Sequence, residues 1–515
     1  MPAAFAGRGA LQAMSEGKVT LVGAGPGDPG LITVRGRQAL QQADVVVYDR
    51  LVAPELLQLA PPGAELVDVG KTQGKHPVPQ GRINELLAQH ARRGKSVVRL
   101  KGGDPYVFGR GSEEAEYLVA RGIAFEVVPG VTSATGALAY AGIPATARDA
   151  ASSVHIVTGH AAHDGELAID YDALVRAGGT LVFLMAVGTM GQICEGLLAA
   201  GMPASMPAAV VQEGTTPRQR SVVSTLGAVA SEARAACIES PAVLVVGQVC
   251  AKASELAFHD ALPLRGKSVV LTRPRERCVQ LAEKLRLLGA EVLCMPCIQT
   301  RPLPAGPARE ALSRVRAGEY AWLVLTSAFG VERLSAVLEG MRLDARALAP
   351  VRLAAIGAGT AAALAEGGLR ADLVPARHDS ARLAAELAAR CEPGQRVLLL
   401  RAAAGAPDVP RALQAAGVEC DDVATYETVT LDAGASEAAA RVRAGSVGYV
   451  AFTSSSCVRG FAASVPQADA RTFTAACIGP CTQAAAAACG YRTITAADAT
   501  VDALVAAIAN HAAAS

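Results

Sequence analysis

The 515-residue chain reads as an α/β protein in two parts: an N-terminal α/β unit of two subdomains, then a C-terminal bilobal α/β unit with two similar lobes. Three observations predict this. Short apolar runs alternate with helix-like segments throughout, several runs end in turns dense in Gly, Asp and Pro, and the second half carries a faint internal repeat. Chains of this kind gather ligands at the carboxyl ends of their strands.

Composition sets the frame. The length suits about two to four domains, each able to bury its own core. Half the residues are hydrophobic, 4% are aromatic, and the net charge is +1 with no basic block, which argues against a nucleic-acid partner. The first 17 residues read as a frayed tail and not as a signal peptide. The longest uncharged stretch, 177–194, is diluted by glycines and threonines, so only its dense part, 181–187, reads as structure, and that length fits a buried strand and not a membrane span. Twelve scattered cysteines without a framework point to a reducing cytoplasm. Cys294 and Cys297 have CxxC spacing, but no second pair or histidine set accompanies them, so they read as two buried thiols at a strand end and no metal site is assigned. His155, His160 and His163 lack a completing ligand and read as a polar loop.

In the first half, strand-like runs fall at 19–22, 45–47, 97–100, 125–128, 155–158, 181–187, 208–211 and 243–249. The first is followed by Gly23-Ala-Gly-Pro-Gly-Asp-Pro-Gly30, and the third by Lys101-Gly-Gly-Asp-Pro-Tyr-Val-Phe-Gly-Arg-Gly111. Glycine here lets the main chain take positive φ and lie flat against a ligand. Gly23, Gly25 and Gly27 nearly trace a dinucleotide fingerprint, with Asp49 placed like a ribose-binding acid. The spacing is wrong, however, and Pro26 and Pro29 remove amide donors that a pyrophosphate would need, so a ligand without phosphate fits better. Ser112 is a candidate helix cap, with Glu113 and Glu114 favourably placed in the first turn. Residues 251–264 read as a linker, and a fresh strand begins after Arg265.

The repeat in the second half pairs Trp322-Leu-Val-Leu-Thr-Ser327 with Tyr449-Val-Ala-Phe-Thr-Ser454, each followed by an apolar run ending in Ile-Gly, at Ile356 and Ile478. Two similar lobes follow, with hydroxyls and Gly turns facing one cleft. Each Thr-Ser pair can equally be an ordinary helix cap.

At this point the first half resembles the uroporphyrinogen-III C-methyltransferase family. The resemblance rests on Val22–Gly30, Val47-Tyr-Asp-Arg-Leu-Val52, Val69-Gly-Lys71, the block from Arg99 to Glu114, Val127-Val-Pro-Gly-Val-Thr-Ser-Ala134 and Ala141-Gly-Ile-Pro144. It spans most of residues 18–250. The second half, 265–515, resembles uroporphyrinogen-III synthase through the Thr-Ser repeats, the Ile-Gly turns and Thr425-Tyr-Glu-Thr428. The resemblance implies a tetrapyrrole-methylase-type unit using S-adenosylmethionine, contacted by Pro26, Gly102, Gly103, Asp104, Val107, Thr132, Ser133, Met185 and Gly214. It implies Asp49 as proton acceptor and Lys71 as proton donor; a helix cap for Asp49 and a surface role for Lys71 are the plain alternatives. Where the family has Tyr-Met-Gly the chain has Leu184-Met-Ala186, and where it has a histidine before the last arginine of its Gly-Ile-Pro motif the chain has Ala147.

For the synthase half no cofactor is implied. Arg273, Thr326, Ser327, Arg401, Thr453, Ser454 and Ser455 are candidates to bind a substrate rich in carboxylates, and Tyr426 to assist loss of hydroxide. The implied partners are small tetrapyrroles and a second copy of the chain, joined through the methyltransferase half, with no membrane. The implied reactions are cyclisation of hydroxymethylbilane to uroporphyrinogen III and two methylations to precorrin-2. A rival reading keeps the methyltransferase and makes the second half a tetrapyrrole-binding sensor module.

Overall fold

The computed structural model describes residues 17–70, 78–160, 167–376, 380–466 and 468–514. The chain divides into two compact units, Met1–Arg265 and Gly266–Ser515.

The first unit holds two five-stranded sheets. One is formed by β1 (Lys18–Gly23), β2 (Val45–Tyr48), β3 (Glu65–Asp68), β4 (Ser96–Lys101) and β5 (Phe125–Val128), in the order β3-β2-β4-β1-β5 and parallel throughout. Side chains alternate across a strand, so Val45, Val47 and Val97 pack beneath helices Gln80–Arg92 and Gly111–Val119, while Val46, Val98 and Leu100 face Leu40 and Leu56. Both faces are covered, which is why these strands read as continuous apolar runs. The other sheet is β6 (Val154–Thr158), β7 (Thr180–Leu184), β8 (Pro207–Gln212), β9 (Arg220–Thr225) and β10 (Ala242–Val246), in the order β6-β7-β10-β8-β9, with only β6 and β7 parallel.

The second unit also holds two sheets. Strands β11 (Ser268–Leu271), β12 (Glu291–Cys294), β18 (Tyr449–Phe452), β19 (Thr474–Cys477) and β20 (Arg492–Thr495) are parallel, in the order β12-β11-β18-β19-β20. Strands β13 (Ile298–Pro302), β14 (Trp322–Leu325), β15 (Arg352–Ala355), β16 (Arg396–Ala402) and β17 (Glu419–Thr430) order as β13-β17-β16-β14-β15, with β13 antiparallel to β17. The chain starts the first lobe, builds the whole second lobe, and returns to finish the first.

Three sequence expectations meet a different structure. Residues 251–264, read as a linker, are packed into the first unit: Leu264 is fully buried, His259 nearly so, and the backbone at Ala257 sits against Gly142. Ser112 does not cap its helix, which starts at Gly111 after Arg110 in a left-handed conformation (φ 58°). Glu114 is wholly buried and serves an ion-pair cluster instead of the helix end. His155 lies on β6, while His163 falls outside the described residues, as does nearly all of the expected N-terminal tail.

Candidate functional sites

At the carboxyl ends of β1, β4 and β5 three loops meet main chain to main chain. Gly25 and Gly103 exchange amide–carbonyl hydrogen bonds of 3.2 and 2.8 Å, and Ala24 N donates to Lys101 O at 2.7 Å. A Cβ on Gly23 would lie 2.5 Å from Gly130 Cα, so only glycine permits this approach. Gly103 itself has φ +67°, and a Cβ there would meet nothing nearer than Thr132 Cα at 3.9 Å and Ser133 N at 4.0 Å. One face of the glycine floor is therefore packed backbone, and the other is open space bounded by Thr132 and Ser133.

Pro26 packs on helix Ser133–Tyr140 at Gly136, and Gly214 is pressed against Ala137 of the same helix. Val107 packs against the buried cluster that includes Ala134, Ala137 and Leu184. Met185 follows β7 with φ 57° and its side chain 51% exposed, a strained placement for a large apolar residue. Thr132 caps its helix by accepting from Ala134 N. Asp104 is occupied locally, since its carboxylate accepts from the amides of Tyr106, Val107 and Gly130 and so ties the β4 loop to the β5 loop. The exposed Tyr106 and Phe108 on the β4 loop and Leu51 on the loop after β2 were passed over in the sequence reading; a positive φ of 53° marks Phe108.

Asp49 lies beyond β2, its Oδ1 3.7 Å from where a Cβ on Gly102 would sit. That oxygen accepts from Leu51 N at 3.1 Å, while Oδ2 is 3.7 Å from Arg99 Nη2. Asp49 therefore closes a local turn and is not the helix cap expected as its alternative role, since the next helix, Pro54–Leu57, begins after Ala53 with no side-chain cap. Lys71 is outside the described residues. Beneath Asp49, Arg99 and Lys101 share one face of β4 because they are two apart. Both reach Oε1 of Glu114, at 3.1 and 3.0 Å, which also accepts from Gln80 at 3.0 Å; Oε2 has no partner among the described residues. Burial and the neighbouring Arg99 charge push the Lys101 ammonium below the ordinary lysine range, against the pull of Glu114. This buried quartet was missed in sequence; two cations alternating within an apolar central strand were the available signal.

In the second unit, Thr326, Arg401 and Tyr426 line one cavity of about 220 Å³, together with Ile356, Leu399 and Gly405. The phenol of Tyr426 and the hydroxyl of Ser327 are 2.7 Å apart, and Ser327 also caps helix Ala328–Gly340 by accepting from Gly330 N at 2.9 Å. Burial raises the pKa of Tyr426, with Ser327 and Arg277 pulling the other way. Arg401 is committed to Asp422 and to the carbonyl of Ala406.

In the other lobe, Ser454 caps helix Ser455–Ser464 as Ser327 does in its own, accepting from Cys457 N at 3.2 Å. Ser455 donates to Cys481 O at 3.1 Å, and Thr453 Oγ1 stands 4.0 Å from Cys457 Sγ. Arg273 is partly buried near the thiols of Cys278 and Cys457, its pKa drawn down by burial, with no carboxylate among the groups acting on it. The unforeseen residue is Arg277, whose guanidinium lies 5.1 Å over the ring of Phe329, which in turn meets Tyr426 edge-on at 4.9 Å. The arginine-dense loop after β11 was its signal. Cys297 is buried and Cys294 only partly so, and no group of three potential metal ligands occurs among the described residues.

Comparison with known proteins gives each unit a family. Residues 18–230 match the family model described as Tetrapyrrole (Corrin/Porphyrin) Methylases, and residues 279–506 match that described as Uroporphyrinogen-III synthase HemD. The chain is 43% identical over 493 residues to the porphyrin biosynthesis protein HemD of Ruminiclostridium josui, covering 96% of this chain and 97% of that one. It is 53% identical over 243 residues to the siroheme synthase of Chromobacterium violaceum, which covers 47% of this chain and 52% of that protein, about half the relative's length. Among solved structures, the uroporphyrin-III C-methyl transferase of Thermus thermophilus complexed with S-adenyl homocysteine is 43% identical, covering 45% of this chain and 98% of that one, with a TM-score of 0.39. A uroporphyrinogen III synthase mutant, also from Thermus thermophilus, is 20% identical, covering 48% and 98%, with a TM-score of 0.37.

Proposed function

Since the chain belongs to the family of the porphyrin biosynthesis protein HemD and joins a C-methyltransferase domain to a uroporphyrinogen-III synthase domain in one tetrapyrrole-biosynthesis enzyme, we propose that it performs two consecutive steps. The synthase unit cyclises hydroxymethylbilane to uroporphyrinogen III with inversion of ring D. The methyltransferase unit then methylates that product twice to precorrin-2.

The observation that carries the first-unit reading is the Gly25–Gly103 floor with its open face. A flat ligand without phosphate suits a loop whose donors Pro26 and Pro29 have removed, and the space a Cβ would fill at Gly103 fits the main-chain approach that S-adenosylmethionine needs. That group supplies an electrophilic methyl. Gly102, Gly103, Thr132, Ser133, Met185 and Gly214 would hold it, with Pro26, Asp104 and Val107 shaping the pocket. Each methyl cation gained is balanced by one proton lost from the macrocycle. The methylated carbon is fully substituted and carries none, so Asp49, beside Gly102, takes it from a neighbouring meso carbon or ring nitrogen. Lys71 is the donor for the ring proton shift that resets the double bonds. The exposed Leu51, Tyr106 and Phe108 offer apolar surface for the faces of the macrocycle.

In the second unit, the cavity walled by Thr326 and Tyr426 supports the synthase reading. Tyr426, kept protonated by burial and oriented by Ser327, donates to the departing hydroxide. The reactive azafulvene left behind closes by itself, so the protein's work is to hold it until ring D attacks through its substituted carbon. Arg273, with no carboxylate acting on it, supplies a cation for substrate carboxylates, and Arg277, paired with Glu332 at 2.6 Å, supplies a second by exchanging that partner for the substrate. In this reading the enzyme works in the cytoplasm as a homodimer joined through the methyltransferase half, and among the described residues no helix is long and apolar enough to cross a membrane.

The test is the purified chain given hydroxymethylbilane and S-adenosylmethionine, its product identified by mass and isomer. Precorrin-2 is expected. Uroporphyrinogen I as sole product overturns the synthase assignment, and unmethylated uroporphyrinogen III overturns the methyltransferase assignment.

A further inference from the structure

The segment that leaves β10 for the second unit lies against the loop assigned to the cofactor. The Tyr140 ring is met edge-on by Phe258 at 5.4 Å and at a tilt by the buried His259 at 5.0 Å. Its hydroxyl donates to Asp28 Oδ2 at 2.7 Å, and Asp28 Oδ1 accepts from Gly30 N at 2.7 Å. Burial and the Asp28 bond hold the Tyr140 phenol protonated far above its ordinary range. A second route reaches the same residue. The Arg265 guanidinium donates to the carbonyls of Pro217 and Gln219 while pairing with Asp260 at 3.2 Å. The Gln219 side chain accepts from Thr215 N at 2.8 Å, holding Thr215 at φ 71°, and Thr215 Oγ1 accepts from Asp28 N at 2.9 Å. One route thus grips the carboxylate of Asp28 and the other its amide.

We propose that Phe258–Arg265 is a positioning brace for the cofactor loop, acting through Tyr140 and through Gln219–Thr215 on Asp28. The loop needs one. Gly25 (φ +82°) and Gly27 (φ +158°) flank Pro26 and leave the main chain free to leave its binding shape, and any such freedom is lost again on binding at a cost in affinity. None of the braced residues is among those assigned to the reacting step, so the brace sets affinity for the cofactor and not the rate of methyl transfer. The inference rests on the reading that this loop holds S-adenosylmethionine. It also means that the residues at the junction of the two units belong to the methyltransferase site.

The test uses the full-length chain. Tyr140→Phe keeps the ring and its packing and removes one donor; Arg265→Met keeps the aliphatic stem; Arg265→Lys restores one cationic donor. Calorimetry with S-adenosylhomocysteine, steady-state kinetics with S-adenosylmethionine and thermal melting are read together. Tyr140→Phe and Arg265→Met each raise Kd and KM about 5- to 20-fold, the worth of one or two hydrogen bonds. The kcat stays within about twofold, uroporphyrinogen III formation by the same chain is unchanged, and Arg265→Lys recovers part of the loss. Wild-type affinity in both variants, or a fall in kcat with KM unmoved, overturns the brace. If Arg265→Met does not fold, Tyr140→Phe decides alone. A wild-type chain that fails to bind S-adenosylhomocysteine overturns the cofactor reading itself, and the brace with it.

Discussion

Gly25 and Gly103, on loops from different strands, exchange two main-chain hydrogen bonds and thereby build a side-chain-free floor. Replacing Gly103 by Val places a branched side chain at φ +67° and fills the space facing Thr132 and Ser133. Gly103→Val is expected to lose S-adenosylmethionine binding by more than about 100-fold, while the same chain still converts hydroxymethylbilane. Calorimetry showing wild-type affinity would sink the assignment of this floor.

Asp49 stands at the edge of that floor with one oxygen in a turn and the other toward Arg99. Asp49→Asn preserves the turn acceptor and removes the base. Methyl transfer is expected to drop by about 10²–10⁴, the usual worth of a general base, with cofactor affinity unchanged. Undiminished turnover would leave Asp49 with its turn alone.

Among the described residues, Glu114 carries the only carboxylate oxygen that Arg99 and Lys101 both reach. Glu114→Ala strands two cations in the interior, and loss of one partner of a buried ion cluster costs about 3–5 kcal/mol. The first unit is expected to melt well below the wild-type temperature, whereas Glu113→Ala, on the exposed neighbouring carboxylate, changes little. Equal melting of the two variants would refute the cluster's role.

In the second unit no single substitution is expected to behave like loss of a nucleophile. Thr326→Ala, Ser455→Ala and Tyr426→Phe each leave measurable uroporphyrinogen III, with Tyr426→Phe the most impaired. Replacing Thr326, Ser327, Thr453 and Ser454 together by Ala removes the caps of two helices and the partner of Tyr426. Product is then expected to shift toward isomer I, the default closure of a loosely held azafulvene, as read by chromatography after oxidation to porphyrins. A quadruple variant that stays folded and selective for isomer III excludes placement by these groups.

The α/β class, the strand-end loops and the doubled Thr-Ser caps were legible in the chain alone. These are local facts: apolar runs, glycine and proline at turns, and hydroxyls one residue before a helix are set within a few residues of chain. The Gly103 loop was marked in the same way, because a main chain that must approach another closely excludes any Cβ. What lies across the chain waited for the fold. Nothing local tells that Arg99, Lys101 and Glu114 meet, since a strand and the helix after it face each other only once the sheet is covered. Nothing local tells that the first lobe of the second unit is closed by strands from both ends, a matter of sheet order. And the segment 251–264, which passes for a linker because it is short of apolar residues at helical spacing, is held in the first unit by Tyr140 and Gly142, with Arg265 just after it bonded to Pro217 and Gln219, all residues far from it in sequence. Burial is a property of the neighbours a residue finds, and the folded chain alone supplies them.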